Sequence, residues 1–186
     1  MKILVIEDKQ MHQDSARQTL VDHDVTLVSS YDEATKVLGS KGFNFEVVLT
    51  DMNLPMGSKN TLNEAFKSGE QVPYGFVLAL MAAHCGAKYV AMVTDANHHK
   101  GAMSAALDNL GPTYYESWCG GFESVKVFKI NDAKVVFVHT PFIGVPRTTC
   151  PTCQGASSGC GVCVGDGLDR GKDWGKVLMD LTKEEK

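Results

Sequence analysis

The run Val47-Val48-Leu49-Thr50-Asp51-Met52-Asn53-Leu54-Pro55-Met56 decides how the chain folds. Val47, Val48 and Leu49 follow one another without polar alternation, the pattern of a strand covered on both faces, and such strands belong to parallel sheets flanked by helices. Asp51 ends the strand, and Asn53 and Pro55 turn the chain away. Upstream, residues 2–6 form an apolar strand that runs straight into Glu7 and Asp8. Residues 9–21 carry Met11, Ala16, Leu20 and Val21 among polar neighbours, a loosely amphipathic helix, and residues 24–28 resume as a strand. Ser29 and Ser30 then offer an N-cap to a second helix built on Ala34, Val37 and Leu38.

Downstream, residues 51–73 are rich in Asn, Ser, Gly and Pro and hold at most a short helix near 62–67. Residues 76–84 read as a helix that is apolar nearly all round, with Leu78, Leu80 and Met81 in core roles. A fourth strand spans 89–93, closed by Thr94, and a fourth helix 101–110. Two alternating runs, 125–130 and 134–138, flank the turn Asn131-Asp132-Ala133, so a hairpin leads into the fifth core strand. Residues 143–170 are glycine-rich and almost free of helix or strand signal. A closing helix follows, with Trp174, Val177, Leu178 and Leu181 on one face. Alternating strands and helices of this kind predict an α/β fold, read as one domain over 1–186 with insertions at 57–74 (a loop), 111–133 (a loop and hairpin arm) and 143–171 (a cysteine-bearing segment).

The charge balance, 18 basic against 22 acidic residues for a net −4, includes no block of like charge that would hold a phosphate backbone, so no nucleic-acid partner is expected. The longest apolar run, residues 75–83, falls far short of the roughly 20 residues that cross a bilayer, and no cleavable leader is legible. The expectation is a cytoplasmic protein with no membrane partner.

In an open parallel sheet, sites form beyond the carboxyl ends of the strands. There the fold reading gathers Glu7, Asp8, Asp51 and the hydroxyl of Thr94. Adjacent carboxylates repel unless a cation offsets them, and Mg²⁺ is a hard ion that takes such oxygen ligands. Beside a metal, Asp51 would act as nucleophile on a phosphoryl group, with Thr94 donating to a phosphoryl oxygen. A metal-dependent phosphohydrolase ranks last, since Asn53 stands where a second, general-acid Asp would be needed.

Ile6-Glu7-Asp8, Ser30-Tyr31-Asp32-Glu33-Ala34, Asp51-Met52-Asn53-Leu54-Pro55-Met56 and Val93-Thr94 together resemble the receiver domain of two-component response regulators. The resemblance covers residues 1–56 well and 75–110 fairly, and it returns at 137–142. It implies the flavodoxin-like fold, a doubly wound five-stranded parallel sheet of order 2-1-3-4-5. It also implies that Asp51 is the phosphoacceptor, that Glu7, Asp8 and Asp51 with the carbonyl of Asn53 hold Mg²⁺, that Thr94 is the switch hydroxyl, and that Phe137 lies at the switch aromatic position. The match departs at the end of the fifth strand. Receivers have Lys-Pro there, and here Thr140 precedes Pro141, so the ammonium that reaches the acyl phosphate has no counterpart. Lys126 and Lys129 are the candidates to replace it. Asp95 adds negative charge beside Thr94.

Cys150, Cys153, Cys160 and Cys163 give C-x2-C-x6-C-x2-C, two thiolate pairs on tight turns that suit a tetrahedral structural Zn²⁺. The two motifs locally resemble the zinc knuckles of J-domain chaperones. An iron–sulfur or redox dithiol site and unliganded cysteines are the alternatives. The leading expectation is a stand-alone response-regulator-like signalling protein. A histidine kinase or phosphotransfer protein would modify it, a downstream protein would read it, and its only catalysis would be self-phosphorylation and slow autodephosphorylation. The alternative is a non-phosphorylated pseudo-receiver acting as a zinc-stabilised protein-binding module.

Overall fold

A computed structural model of the chain describes residues 1–58, 69–95, 105–106, 109, 113–114, 127–146, 163–164 and 168–183. Strand β1 (Lys2–Ile6) leads to α1 (Gln10–Thr19), β2 (Asp24–Val28), α2 (Tyr31–Leu38) and β3 (Val47–Asp51). Two short strands, β4 (Leu54–Pro55) and β5 (Gln71–Val72), pair with each other ahead of α3 (Tyr74–His84) and β6 (Tyr89–Thr94). Then come β7 (Thr113–Tyr114), β8 (Val127–Ile130), β9 (Ala133–His139), β10 (Phe142–Pro146), β11 (Cys163–Val164), β12 (Leu168–Lys172) and α4 (Trp174–Thr182).

The central sheet runs β2-β1-β3-β6-β9, all neighbours parallel, and it is compatible with a flavodoxin-like fold. Among the described residues the sheet has seven strands: these five, the expected hairpin strand β8, and β7, which the sequence did not lead us to expect. The outer edge of β9 is shared end to end by β8, antiparallel against Ala133 to Val136, and β7, parallel against Val138 and His139. Asn131 makes the tight β8–β9 turn at φ 52°, a left-handed conformation that asparagine tolerates better than most residues.

Strand periodicity splits the core in two. Leu4, Ile6, Val48, Val90, Met92, Val135 and Phe137 face α2 and α3, packing on Ala34, Leu38, Leu78 and Ala82. Ile3, Val5, Val47, Leu49, Ala91, Val93 and Val138 face α1 and α4, packing on Ala16, Leu20, Trp174 and Leu181. Every residue of β3 is buried, as its unbroken apolar run requires. Truncating a side chain such as Leu78 to alanine would cost about 2–5 kcal/mol. Helix α2 is capped as its sequence predicts: Ser30 Oγ accepts from Glu33 N–H, while Glu33 reaches back to accept from Ser29 N–H.

Two expectations about single residues fail, because a helix or chain turn at the surface cannot bury every apolar side chain it carries. Leu80 is 41% exposed on α3, and Val21, beyond the end of α1, is 75% exposed. The segment 143–170 is not free of strands either. Chain departing in β10 and returning in β12 forms an antiparallel ladder, with β11 on its far side. The register sets Phe142 opposite Lys172, so the base of this insertion closes on itself beside the end of β9. Cys150, Cys153 and Cys160, the 62–67 helix and most of the 101–110 helix lie outside the described residues. Of Cys163 only the backbone, in β11, is described.

Candidate functional site

Parallel strands that end in register deliver their last side chains to one place. Leu49 pairs with both Val5 and Ala91, and Asp51 lies opposite Val93, so Glu7, Asp8, Asp51 and Thr94 all emerge at the same end of the sheet. One carboxylate oxygen from each of Glu7, Asp8 and Asp51 falls within 4.8 Å of the other two. Asn53 sits two residues past Asp51 in the loop to β4 and is half-buried.

The backbone under Asp51 is clamped. Met52 N–H donates to Asp51 Oδ1 at 2.8 Å, and Gly75, in the first turn of α3, donates its N–H to Met52 O at 3.0 Å. Gly75 approaches so closely that a Cβ there would collide with the carbonyl oxygen of Asp51. Glycine is needed for that approach, which seats the N-terminus of α3 directly against the candidate nucleophile.

The cation that Thr140 lacks is supplied by Lys172. Its Nζ donates to Asp51 Oδ1 at 2.6 Å and to Glu7 Oε2 at 2.7 Å, with no solvent exposure. Thr140 itself is buried with its hydroxyl turned onto Pro141 O, and its N–H donates to Thr94 O, tying the end of β9 to the end of β6. Lys129 is no substitute: it is exposed and pairs with Lys134, at the opposite end of β9. Lys126 lies outside the described residues. Because Phe142 and Lys172 are register partners, the chain returns from the insertion to where it left, and Lys172 enters the site as though the intervening residues were absent. Locally the sequence marks only that Lys172 directly precedes Asp173, which caps the closing helix by accepting from Lys176 N–H.

Electrostatically the site is a cluster of three carboxylates, Glu7 and Asp51 buried and Asp8 half-buried, with one buried ammonium. Burial pushes the Glu7 carboxyl up to about 7; Lys172 opposes this and the neighbouring Asp51 carboxylate adds to it. Burial also works against the Lys172 charge, but Asp51 and Glu7 outweigh it and hold the ammonium above its usual range. With all four groups ionised, two negative charges remain, the complement of one divalent cation. Asp8 Oδ1 is buried without a hydrogen-bond partner among the described residues, while its Oδ2 accepts from Gln71 Nε2 at 3.4 Å. An orphaned carboxylate oxygen at the edge of an uncompensated acidic pocket fits a hard oxygen-seeking cation.

Asp95 does not leave its charge loose beside Thr94. It forms an ion pair with Lys9 at 2.8 Å and accepts from His12 Nε2 at 3.1 Å. Burial opposes its ionisation, yet His12, Lys172 and Lys9 together hold it well below the usual carboxylate range. Phe137 is 5% exposed, stacked on Phe76 and tilted against Phe128, so here it is part of the core between α3 and β8.

No protein-family model matches the chain, and no curated protein matches it. Among solved structures, it is similar to the N-terminal domain of a response regulator/sensory box/GGDEF 3-domain protein from Carboxydothermus hydrogenoformans. The identity is 18%, the match covers 57% of this chain and 74% of that one, and the TM-score is 0.39. At that score the likeness carries nothing about chemistry, which rests on the side chains themselves. Among the described residues no helix is long and apolar enough to cross a membrane.

Proposed function

We propose that the chain is a receiver-like signalling protein that takes a phosphoryl group on Asp51. The observation that carries this reading is the fully buried Lys172 ammonium held between Asp51 and Glu7. A lone aspartate at a strand end is ordinary; one clamped from below by α3 and paired with a buried ammonium is poised for charge to arrive. Among the described residues both hydrogen bonds to the Asp51 carboxylate, from Met52 N–H and Lys172 Nζ, fall on Oδ1, which leaves Oδ2 to attack. In the transfer, a carboxylate oxygen of Asp51 forms the new bond to phosphorus while the bond from phosphorus to the donor's leaving atom breaks, and the electron pair departs with that atom, an imidazole nitrogen of a phosphohistidine or the acetate oxygen of acetyl phosphate. Lys172 would shift from the carboxylate towards the phosphoryl oxygens, where a preorganised ammonium in a dry pocket stabilises the developing charge. The Thr94 hydroxyl would donate to one of those oxygens. Glu7, Asp8, Asp51 and the carbonyl of Asn53 would hold Mg²⁺, which when bound neutralises charge on the transferring oxygens. A histidine kinase or phosphotransfer protein would supply the phosphoryl group, and a protein partner would read the modified surface.

The pseudo-receiver alternative drew on the neutral Thr140, and Lys172 removes that support. In the same reading Cys150, Cys153, Cys160 and Cys163 hold a structural Zn²⁺ that orders the outer part of the 143–171 insertion. The deciding experiment is incubation with acetyl phosphate and Mg²⁺ read by intact mass. Wild type should gain one phosphoryl group, about 80 Da, and Asp51→Asn should gain none. Wild type that stays unmodified, or transfer that survives Asp51→Asn, overturns the reading.

A further inference from the structure

The lysine at the site is itself held from behind, by a residue the proposed chemistry does not use. His12 lies on α1 with no solvent exposure. Its Nδ1 accepts from the backbone N–H of Lys172 at 3.3 Å, and its Nε2 lies 3.1 Å from Asp95 Oδ2. Its carbonyl accepts from Trp174 Nε1 at 2.9 Å, which fixes the start of α4 to the same turn of α1. An imidazole nitrogen that accepts carries no proton, so the ring proton sits on Nε2 and is donated to Asp95. Asp95 is in turn anchored by Lys9. Burial lowers the affinity of His12 for a second proton, against the pull of Asp95, and so keeps the neutral form that this arrangement needs. Lys9, Asp95, His12 and Lys172 thus form one chain of contacts, from a partly exposed ammonium to the backbone of the buried one.

From this geometry we infer that His12 is a positioning residue: it fixes the backbone of Lys172, and through Asp95 it couples that backbone to the carboxyl end of β6 at Thr94. The assignment rests on the phosphoacceptor reading of Asp51. Lys172 is the last residue of β12, the middle strand of the small antiparallel sheet, past the reach of β11 and alongside β10 alone, and it must project its ammonium between two carboxylates from other elements. A backbone anchored at N–H presents that side chain at one depth; a loose one presents it at several. Orientation lost in this way lowers the rate of transfer without changing the carboxylates that would bind Mg²⁺.

Three substitutions separate the two ring nitrogens. The amide oxygen of His12→Asn lies where Nδ1 lies and can still accept from Lys172 N–H. The amide nitrogen of His12→Gln lies near Nε2 and can still donate to Asp95. His12→Phe keeps the volume and loses both contacts. Phosphorylation of Asp51 by acetyl phosphate should slow about tenfold in His12→Gln and His12→Phe, the loss of one buried hydrogen bond, and stay near wild type in His12→Asn. The Mg²⁺ concentration for half-maximal rate should be the same in all four proteins. A second measurement needs no phosphoryl transfer: amine acetylation of the folded protein followed by peptide mass spectrometry should leave Lys172 unlabelled in wild type and His12→Asn, and label it in His12→Gln and His12→Phe. Should wild type take no phosphoryl group, the phosphoacceptor reading fails while the labelling pattern still decides the role of His12. Lys172 equally protected in folded His12→Gln and in wild type, or His12→Asn as impaired as His12→Gln, overturns the inference.

Discussion

Replacing Lys172 by methionine keeps the length of the side chain and removes its charge, leaving Glu7 and Asp51 facing each other in a dry pocket. The Nζ lies 2.6 Å from one carboxylate oxygen and 2.7 Å from the other. At an effective dielectric of about 20, each such contact is worth roughly 6 kcal/mol of attraction, most of it cancelled by the cost of desolvating the ions. What remains visible in a truncation is the charge left without its partner, about 3–5 kcal/mol. That loss has a built-in escape. Glu7 already binds its proton up to about pH 7 with the lysine present, and without it the proton is held more firmly still. Lys172→Met should therefore lose about 3–5 kcal/mol at pH 8.5, and clearly less at pH 5, where a protonated Glu7 can donate to Asp51. Urea unfolding at the two pH values, with Glu7→Gln/Lys172→Met as the partner that no longer needs the proton, measures this directly. A variant as stable as wild type at both pH values, or a loss that does not shrink on acidification, would refute the buried ion-pair cluster.

Gly75→Ala should cost at least about 2 kcal/mol, since the added methyl meets the backbone under Asp51 rather than a side chain that could swing aside; thermal unfolding checks it. Glu7 has a raised carboxyl in the folded chain, so the folded state holds a proton that the unfolded state has released between about pH 4.5 and pH 7. Its contribution to stability is full below that window and falls as pH rises through it, by up to about 3 kcal/mol, whereas His12, held neutral, pulls the other way below its ordinary value near 6.5. The Glu7 part is isolated by subtracting the stability of Glu7→Gln at each pH, and a difference that is flat from pH 4.5 to pH 8 contradicts it. The purified chain should carry about one Zn²⁺, released by Cys153→Ser; iron or no metal on elemental analysis excludes the zinc assignment.

Strand character is local, and that is why the carboxylates were legible. The unbroken runs Val47-Val48-Leu49 and Ile3-Leu4-Val5-Ile6 specify strands covered on both faces, and all of β3 is buried. Once those strands are parallel neighbours, Glu7, Asp8 and Asp51 must meet, because each stands at a carboxyl end. The Ser30 cap and the Asn131 turn were legible for the same reason, each depending on a few consecutive residues.

Lys172 was not legible in that way. Its distance from Asp51 along the chain carries no information; its place in the site depends on the antiparallel register of β10 and β12, which sets Phe142 opposite Lys172 and returns the chain to the end of β9. The β7 and β8 segments on the outer edge of β9 are likewise products of long-range pairing. His12 read from sequence is one polar position on an amphipathic helix. Only the packing of α1 against β12 and the exit of β6 gives its two nitrogens different partners, and burial then makes both hydrogen bonds obligatory. The sequence by itself therefore determined where negative charge gathers, because strand ends are local features. The tertiary structure alone decided which cation answers that charge and what holds it there, because both are contacts between residues far apart in the chain.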